Sequence, residues 1–381
     1  MRFTVLLFML IATLQFQAES GEGEIGGYVK YLLSRSDLPA EGFFYDHLLH
    51  ARLNAKWYPA EEITGVLELR GRAFYGGSVG NTPGFADMLG HDAGFGRLGS
   101  VLWNSKKSVG YLEADRLYAT WNPGPLQATV GRQRIAWGTN LVWNPIDLFN
   151  PLSVLDIDYE ERPAVDAIRL QYYTGEVSKI ELAVKPGTGS SKAITAAQVT
   201  LNQWTYDFHI LAGRKAKEWF LGAGWAGDIE GGGFRGEVLA AEIPVILRST
   251  PTRRILVTGA LSGDYTFPSS LYIHTEVLCS SEGTTTQAAL ARPRATELGL
   301  LSPARWSLFQ EIAFDVSPLV RADLFAIYNP DDGSSAIVPS VTWSVVTNFD
   351  ATFFALFFNG DALTEFGQLG SIAYIRGKWS F

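Results

Sequence analysis

Polar and apolar residues alternate with a period of two along most of the chain. In the last segment Ala373, Ile375, Gly377, Trp379 and Phe381 share one face, and Tyr374, Arg376, Lys378 and Ser380 share the other. Leu49, Ala51, Leu53, Ala55 and Trp57 oppose His50, Arg52, Asn54 and Lys56. Ile63, Gly65, Leu67 and Leu69 oppose Thr64, Glu68, Arg70 and Arg72, and Ile180, Leu182 and Val184 oppose Lys179, Glu181 and Lys185. Val320, Ala322, Leu324 and Ala326 oppose Arg321 and Asp323. Successive strand side chains point to opposite faces, so this pattern predicts strands with one apolar and one polar side. A soluble sandwich also alternates, but it rarely sustains so many long strands without a second apolar layer.

Read this way, strands fall near 23–33, 44–58, 62–74, 108–121, 126–137, 164–174, 177–186, 192–202, 204–214, 217–227, 232–247, 254–265, 270–279, 304–316, 318–329, 335–346, 348–358 and 369–381. That is eighteen, and one hairpin more or less in the stretch 186–270 changes it to twenty or sixteen. With both termini placed on the periplasmic side, short turns such as Asn122–Pro125 alternate with long connections such as Gly138–Pro163 and Ser280–Ala304. Short inner turns and long outer loops are the asymmetry of an all-β, antiparallel up-and-down transmembrane barrel.

Composition agrees. Of 381 residues, 18% are charged and 13% aromatic, with 39 Gly. Few charges and many aromatics suit a lipid-facing β surface with aromatic girdles. Arg2, the apolar run Phe3–Leu14 and the small polar stretch to Ala18 read as a secretory signal over 1–18, leaving 19–381 as a single barrel domain. Losing Arg2 takes the net charge from −8 to −9. A mildly acidic chain with no basic tail argues against nucleic acid as a partner. Cys279 stands alone, so no intrachain disulfide forms.

Chemistry concentrates in the loops and on the polar faces. Arg52, Arg70, Arg72, Arg376 and Lys378 fall on lumen-facing positions. The phase of Leu126, Ala128 and Val130 carries Arg132 and Arg134 toward lipid, at about 2–4 kcal/mol each near the midplane. A bulge at Gly131 would turn both into the lumen; a place at the outer rim would remove the cost without one. The loop that follows is rich in apolar residues, among them Trp143, Ile146 and Phe149, and then carries Asp156, Asp158, Glu160, Glu161 and Arg162. Apolar anchors with acids suit a loop that folds inward near 139–163 and narrows a pore; a packed external lid is the alternative. His47, His50, His91, His209 and His274 fall in no GxSxG or HExxH context, and Asp87, His91 and Asp92 match no metal-ligand spacing. No catalytic set, metal or cofactor is expected.

The stretches GRQRIAWG (131–138), WNPIDLFNP (143–151) and ERPAVDAIRL (161–170) resemble a family of porin-like outer-membrane barrels, similar in style to alginate-export and phosphate-selective porins. The C-terminal third, ending TEFGQLGSIAYIRGKWSF, resembles them too, so the likeness runs from about Leu112 to Phe381 and weakens in the middle. It implies a Gram-negative-type outer membrane with its lipid and lipopolysaccharide as surroundings. It also implies small polar solutes as cargo, and barrel-assembly machinery reading Trp379 and Phe381. The expected function is passive diffusion; a non-conducting structural or polysaccharide-handling barrel, or an outer-membrane enzyme, are the alternatives. No substrate or oligomeric state carries over.

Overall fold

The computed structural model describes residues 23–39, 42–89, 94–149, 163–187, 192–247 and 250–381. The expected signal segment, His91 and Asp92, and the acids Asp156, Asp158, Glu160 and Glu161 with Arg162 lie outside these residues. Among the described residues there are nineteen strands in one antiparallel sheet. They are β1 (Gly23–Leu38), β2 (Gly42–Ala60), β3 (Ile63–Gly76), β4 (Gly99–Ser105), β5 (Ser108–Trp121), β6 (Leu126–Gln133), β7 (Val165–Tyr173), β8 (Lys179–Lys185), β9 (Ile194–Gln203) and β10 (Tyr206–Lys215). Then follow β11 (Glu218–Ile229), β12 (Gly232–Leu247), β13 (Thr250–Thr266), β14 (Leu271–Ser280), β15 (Trp306–Ser317), β16 (Val320–Tyr328), β17 (Ser335–Val346), β18 (Phe349–Asn359) and β19 (Ser371–Ser380). Short helices α1 (Gly77–Asn81) and α2 (Phe85–Leu89) follow β3, and α3 (Ala288–Leu298) precedes β15.

Each strand pairs with its neighbours in sequence, except that β3 pairs with β5 and β4 pairs only with the upper part of β5. Setting β4 aside leaves eighteen strands in the wall, and β1 pairs with β19 from Tyr28↔Ser380 to Asp37↔Ser371. That closure removes both free edges, so every wall strand has its ladder satisfied on two sides. The strands of the stretch 186–270, β9 to β13, fall where the alternation puts them. β4 and the three helices are additions that alternation did not mark, because they belong to loops.

Two-residue links Glu61–Glu62, Trp204–Thr205, Leu319 with Pro318, and Thr347–Asn348 sit at one end of the barrel, and the long connections 281–305 and 360–370 sit at the other. Both described ends of the chain lie at the short-turn end: Gly27 and Phe381 exchange backbone hydrogen bonds of 2.9 and 3.0 Å. Gly27 cannot be larger, since a Cβ would stand 2.2 Å from the Arg52 carbonyl.

The two faces separate as alternation demands. Ile375, Leu117 and Val130 are exposed on the outside. Arg52, Glu181, Glu237 and Glu276 are buried on the inside. In β5 one extra residue, Asp115, interrupts the register between Glu68↔Arg116 and Leu69↔Ala114. Such a bulge places two successive side chains on the same side, so Asp115 and Arg116 both face inward. The face assignment predicts that, after Cys279→Ala, cysteines at Arg70→Cys and Arg376→Cys react with a membrane-impermeant thiol reagent. Cysteines at Leu67→Cys and Ile375→Cys should stay unlabelled in lipid; the reverse pattern would overturn the phase.

Candidate functional site

The bulge expected at Gly131 is absent. Pairing runs without a shift from Leu126↔Tyr172 to Gln133↔Val165, although Gly131 holds φ 122°. Arg132 therefore keeps the outward phase, facing away from the lumen, on the same face as Asp166 and the exposed Ile168. Its guanidinium donates to Asp166 at 2.8 Å and to the Gly96 carbonyl at 2.8 Å, and Asp166 also accepts from the Phe95 and Gly96 amides. A carboxylate directly across the ladder neutralises the charge, so no change of face is needed. Arg134 is exposed just beyond the strand end. Arg132 thus stays off the lumen wall.

Past Arg134 the chain turns inward. Ile135, Trp137, Ile146 and Phe149 are buried with Ala167, Ala183, Ile194, Leu211, Phe220 and Leu239, which are inward residues of β7 to β12. Trp143 is buried with Ala260, Leu278, Phe309 and Ile327 of β13 to β16. Residues 135–149 thus form a strap inside the barrel, as the inward reading of this loop expected for its first half. Its apolar side chains, too many for an external tip, find an apolar wall made from the inward positions of eleven consecutive strands, β7 to β17.

Three wall carboxylates hold the strap. Glu237 accepts from the Asn140 amide at 2.9 Å, the Ile146 amide at 3.0 Å, the Thr139 hydroxyl at 3.0 Å and the Thr139 amide. Glu276 accepts from the Val142 and Trp143 amides at 3.1 and 2.6 Å. Glu181 accepts from the Trp137 indole at 2.5 Å while Arg169 grips it through two hydrogen bonds of 2.6 and 2.8 Å. A non-regular backbone inside a barrel leaves amide donors without ladder partners, and a carboxylate accepts several at once. Gly138 lets the strap fold tightly, since a Cβ there would meet the Asn144 side chain at 2.1 Å.

The remaining wall carries the expected cations. Arg52 bonds Asp115 at 2.8 Å and also engages Glu68. Arg116 reaches Glu68 at 3.2 Å, and Arg70 and Arg72 share Glu113 at 2.7 and 3.4 Å. On β19, Arg376 lies over the Phe354 ring and Lys378 over the Tyr28 ring. Arg52, Arg70, Arg72, Arg376 and Lys378 therefore gather on β19, β2 and β3, while the strap covers the other side of the barrel. Sequence reasoning missed Glu181, Glu237 and Glu276. Their signal was an acid at an inward position followed by an outward aliphatic residue (Leu182, Val238, Val277), but only the path of the strap says what such an acid holds.

The long loops add a lid at the same end. Phe366 of the β18–β19 loop joins the cluster of Trp143. Beside it Glu365 is buried and accepts from Ser302 Oγ at 3.0 Å and Asn329 Nδ2 at 2.9 Å, tying three loops together. Burial pushes its carboxyl up to about 7 against the pull of those bonds. Between strap, lid and wall lies a cavity of about 500 Å³ whose lining includes Lys185, Lys192 and Lys215. Among the described residues no cluster of three metal-ligating side chains occurs.

By sequence the chain matches no family model and no curated relative. Its fold, however, is similar to several solved structures. OccAB3 of Acinetobacter baumannii superposes with a TM-score of 0.60 at 8% identity, over 94% of this chain and 99% of that one. A BenF-like porin of Pseudomonas fluorescens gives 0.58 at 9% identity, over 94% and 98%. OccK8 (OprE) of Pseudomonas aeruginosa gives 0.56 at 8%, over 94% and 98%.

Proposed function

We propose that the protein is an outer-membrane channel through which small polar or charged solutes diffuse passively. The observation that carries this reading is a closed eighteen-strand wall whose inside is charged and crossed by a pinned strap. A wall of this many strands encloses more space than side chains alone fill. Its outside is apolar, with exposed Trp57, Trp121, Trp343 and Trp379 near the short-turn end and exposed Trp219 and Trp306 near the other, which suits the two membrane interfaces. The short-turn end, with both chain ends, then faces the periplasm. Export through residues 1–18 and assembly through Trp379 and Phe381 belong to the same reading, as does contact with lipid and lipopolysaccharide. In the sequence the acids Asp156, Asp158, Glu160 and Glu161 follow the strap, and their charge is opposite to that of the wall cations Arg70, Arg72, Arg376 and Lys378.

In planar bilayers the folded protein should give stepwise, ohmic currents. Replacing the four acids by Asn or Gln should move the reversal potential under a salt gradient toward anions, and Arg376→Gln with Lys378→Gln should move it toward cations. Both shifts should shrink in high salt, since the Debye length falls from about 10 Å at 0.1 M to about 3 Å at 1 M. Inserted protein that passes no current at any voltage would favour a non-conducting barrel. Currents with unmoved reversal potentials would place the constriction elsewhere.

A further inference from the structure

A second cavity, of about 410 Å³, lies below the strap toward the short-turn end. Ala136–Thr139 of the strap roof it, and inward residues of β7 to β11 form its wall. Its volume falls within the few hundred Å³ of ordinary small-molecule sites. Any solute passing the strap on this side meets it next.

The lining is built for hydrogen bonding. Gln198 is 3% exposed, and its side-chain amide nitrogen has no hydrogen-bond partner. A buried donor left unmade costs free energy that a bound acceptor would recover. Beside it, His209 commits Nδ1 to Thr200 Oγ1 at 3.1 Å, which leaves the second ring nitrogen to serve a ligand. Asp207 accepts from Asn202 Nδ2 at 2.7 Å through one oxygen, and its other oxygen can accept again. The Trp137 and Tyr173 side chains supply apolar ring surface in the same lining.

Charge narrows the choice of ligand. Lys179 already engages Glu181 at 3.3 Å, and Asp207 and Glu176 also line the cavity, so an anion would meet carboxylates that are not neutralised there. A cation would meet the excess positive charge of Lys179 and Arg169, which share the single carboxylate of Glu181. A neutral solute avoids both penalties. Hydroxyl groups each donate and accept, which matches a lining that alternates amide and imidazole donors with carboxylate acceptors, and sugar rings offer apolar C–H faces to aromatic surface.

We propose that this cavity, centred on Gln198, His209 and Asp207, is a binding subsite for a small neutral polyhydroxylated solute of monosaccharide size. The inference rests on the channel reading and names the class of solute that lingers on the way through.

The test uses three probes of similar size and different charge: D-glucose, gluconate and glucosamine. Titrated into the folded, detergent-solubilised barrel, D-glucose should change tryptophan fluorescence saturably, and more tightly than gluconate or glucosamine. Gln198→Leu and, independently, His209→Ala should each raise the half-saturation concentration by about tenfold, the scale of one hydrogen bond to a charged or well-placed group. In planar bilayers the same D-glucose concentrations should reduce the ion current, with the same loss in each variant that inserts. No saturable response to D-glucose overturns the subsite, whether or not the barrel conducts. Tighter binding of gluconate makes it an anion subsite, and tighter binding of glucosamine a cation subsite; either result also overturns the proposal. Saturable binding without any current would leave the subsite standing and remove the channel.

Discussion

Replacing Glu237 by alanine should raise the single-channel conductance severalfold and make the open current noisier. Four donors lose their acceptor at once: the amides of Thr139, Asn140 and Ile146, and the Thr139 hydroxyl. Hydrogen bonds to a charged group contribute about 1.5–3 kcal/mol each where water is excluded, and less beside an aqueous lumen. Against that stands the apolar burial of Ile135, Trp137, Ile146 and Phe149, at about 1.5–3 kcal/mol for each fully buried side chain. The single variant therefore loosens the middle of the strap while its ends stay seated. Glu237→Ala combined with Glu276→Ala also frees the Val142 and Trp143 amides, and it should give the largest conductance. Glu237→Gln separates charge from geometry. It removes the same charge as alanine but keeps an acceptor oxygen that can serve Thr139 and Asn140, so its conductance should fall between wild type and alanine. Equal conductance in all three proteins would mean that the strap does not limit the current. Equal rises in both variants would mean that charge alone does.

Arg52→Ala should lower the temperature at which the barrel unfolds in detergent more than any other single change on the lumen wall. Arg52 is buried and is the partner shared by Asp115 and Glu68. Removing one member of a buried ion network leaves uncompensated charge and typically costs about 3–5 kcal/mol, whereas removing both partners costs far less. The bulge at Asp115 sharpens the effect, because it holds this carboxylate inward beside Arg116, and Arg116 is already engaged with Glu68. Asp115→Asn should restore much of the loss when added to Arg52→Ala, although alone it destabilises. The measurement is the temperature of the heat-modifiable mobility shift for wild type, both single variants and the double. Additive losses with no rescue would show that Arg52 and Asp115 are not coupled.

The wall was legible because a barrel strand has its two solvents on opposite faces. Leu67 against Arg70 and Ile375 against Arg376 declare their sides two residues at a time, and the short turns set the order of strands. The eighteen wall strands and their antiparallel succession follow from that local rule, which also sets Arg52, Arg70 and Arg376 on the face opposite the exposed Leu67 and Ile375. The alternation also carried Arg132 outward, and the rule was sound there: the face switch invoked at Gly131 was unnecessary because Asp166 stands across the ladder. What local pattern does not contain is the partner of a residue far away in the chain. Glu237 is 97 residues from Asn140, and Glu276 is 133 from Trp143. No periodicity links them, since the strap has no ladder and takes its shape from whichever wall groups accept its amides. The apolar excess of 141–149 foretold burial of that segment, but which wall buries it, and which three carboxylates hold it, depended on closing the barrel. Only closure brings the inward faces of β8, β12 and β14 around one segment of chain.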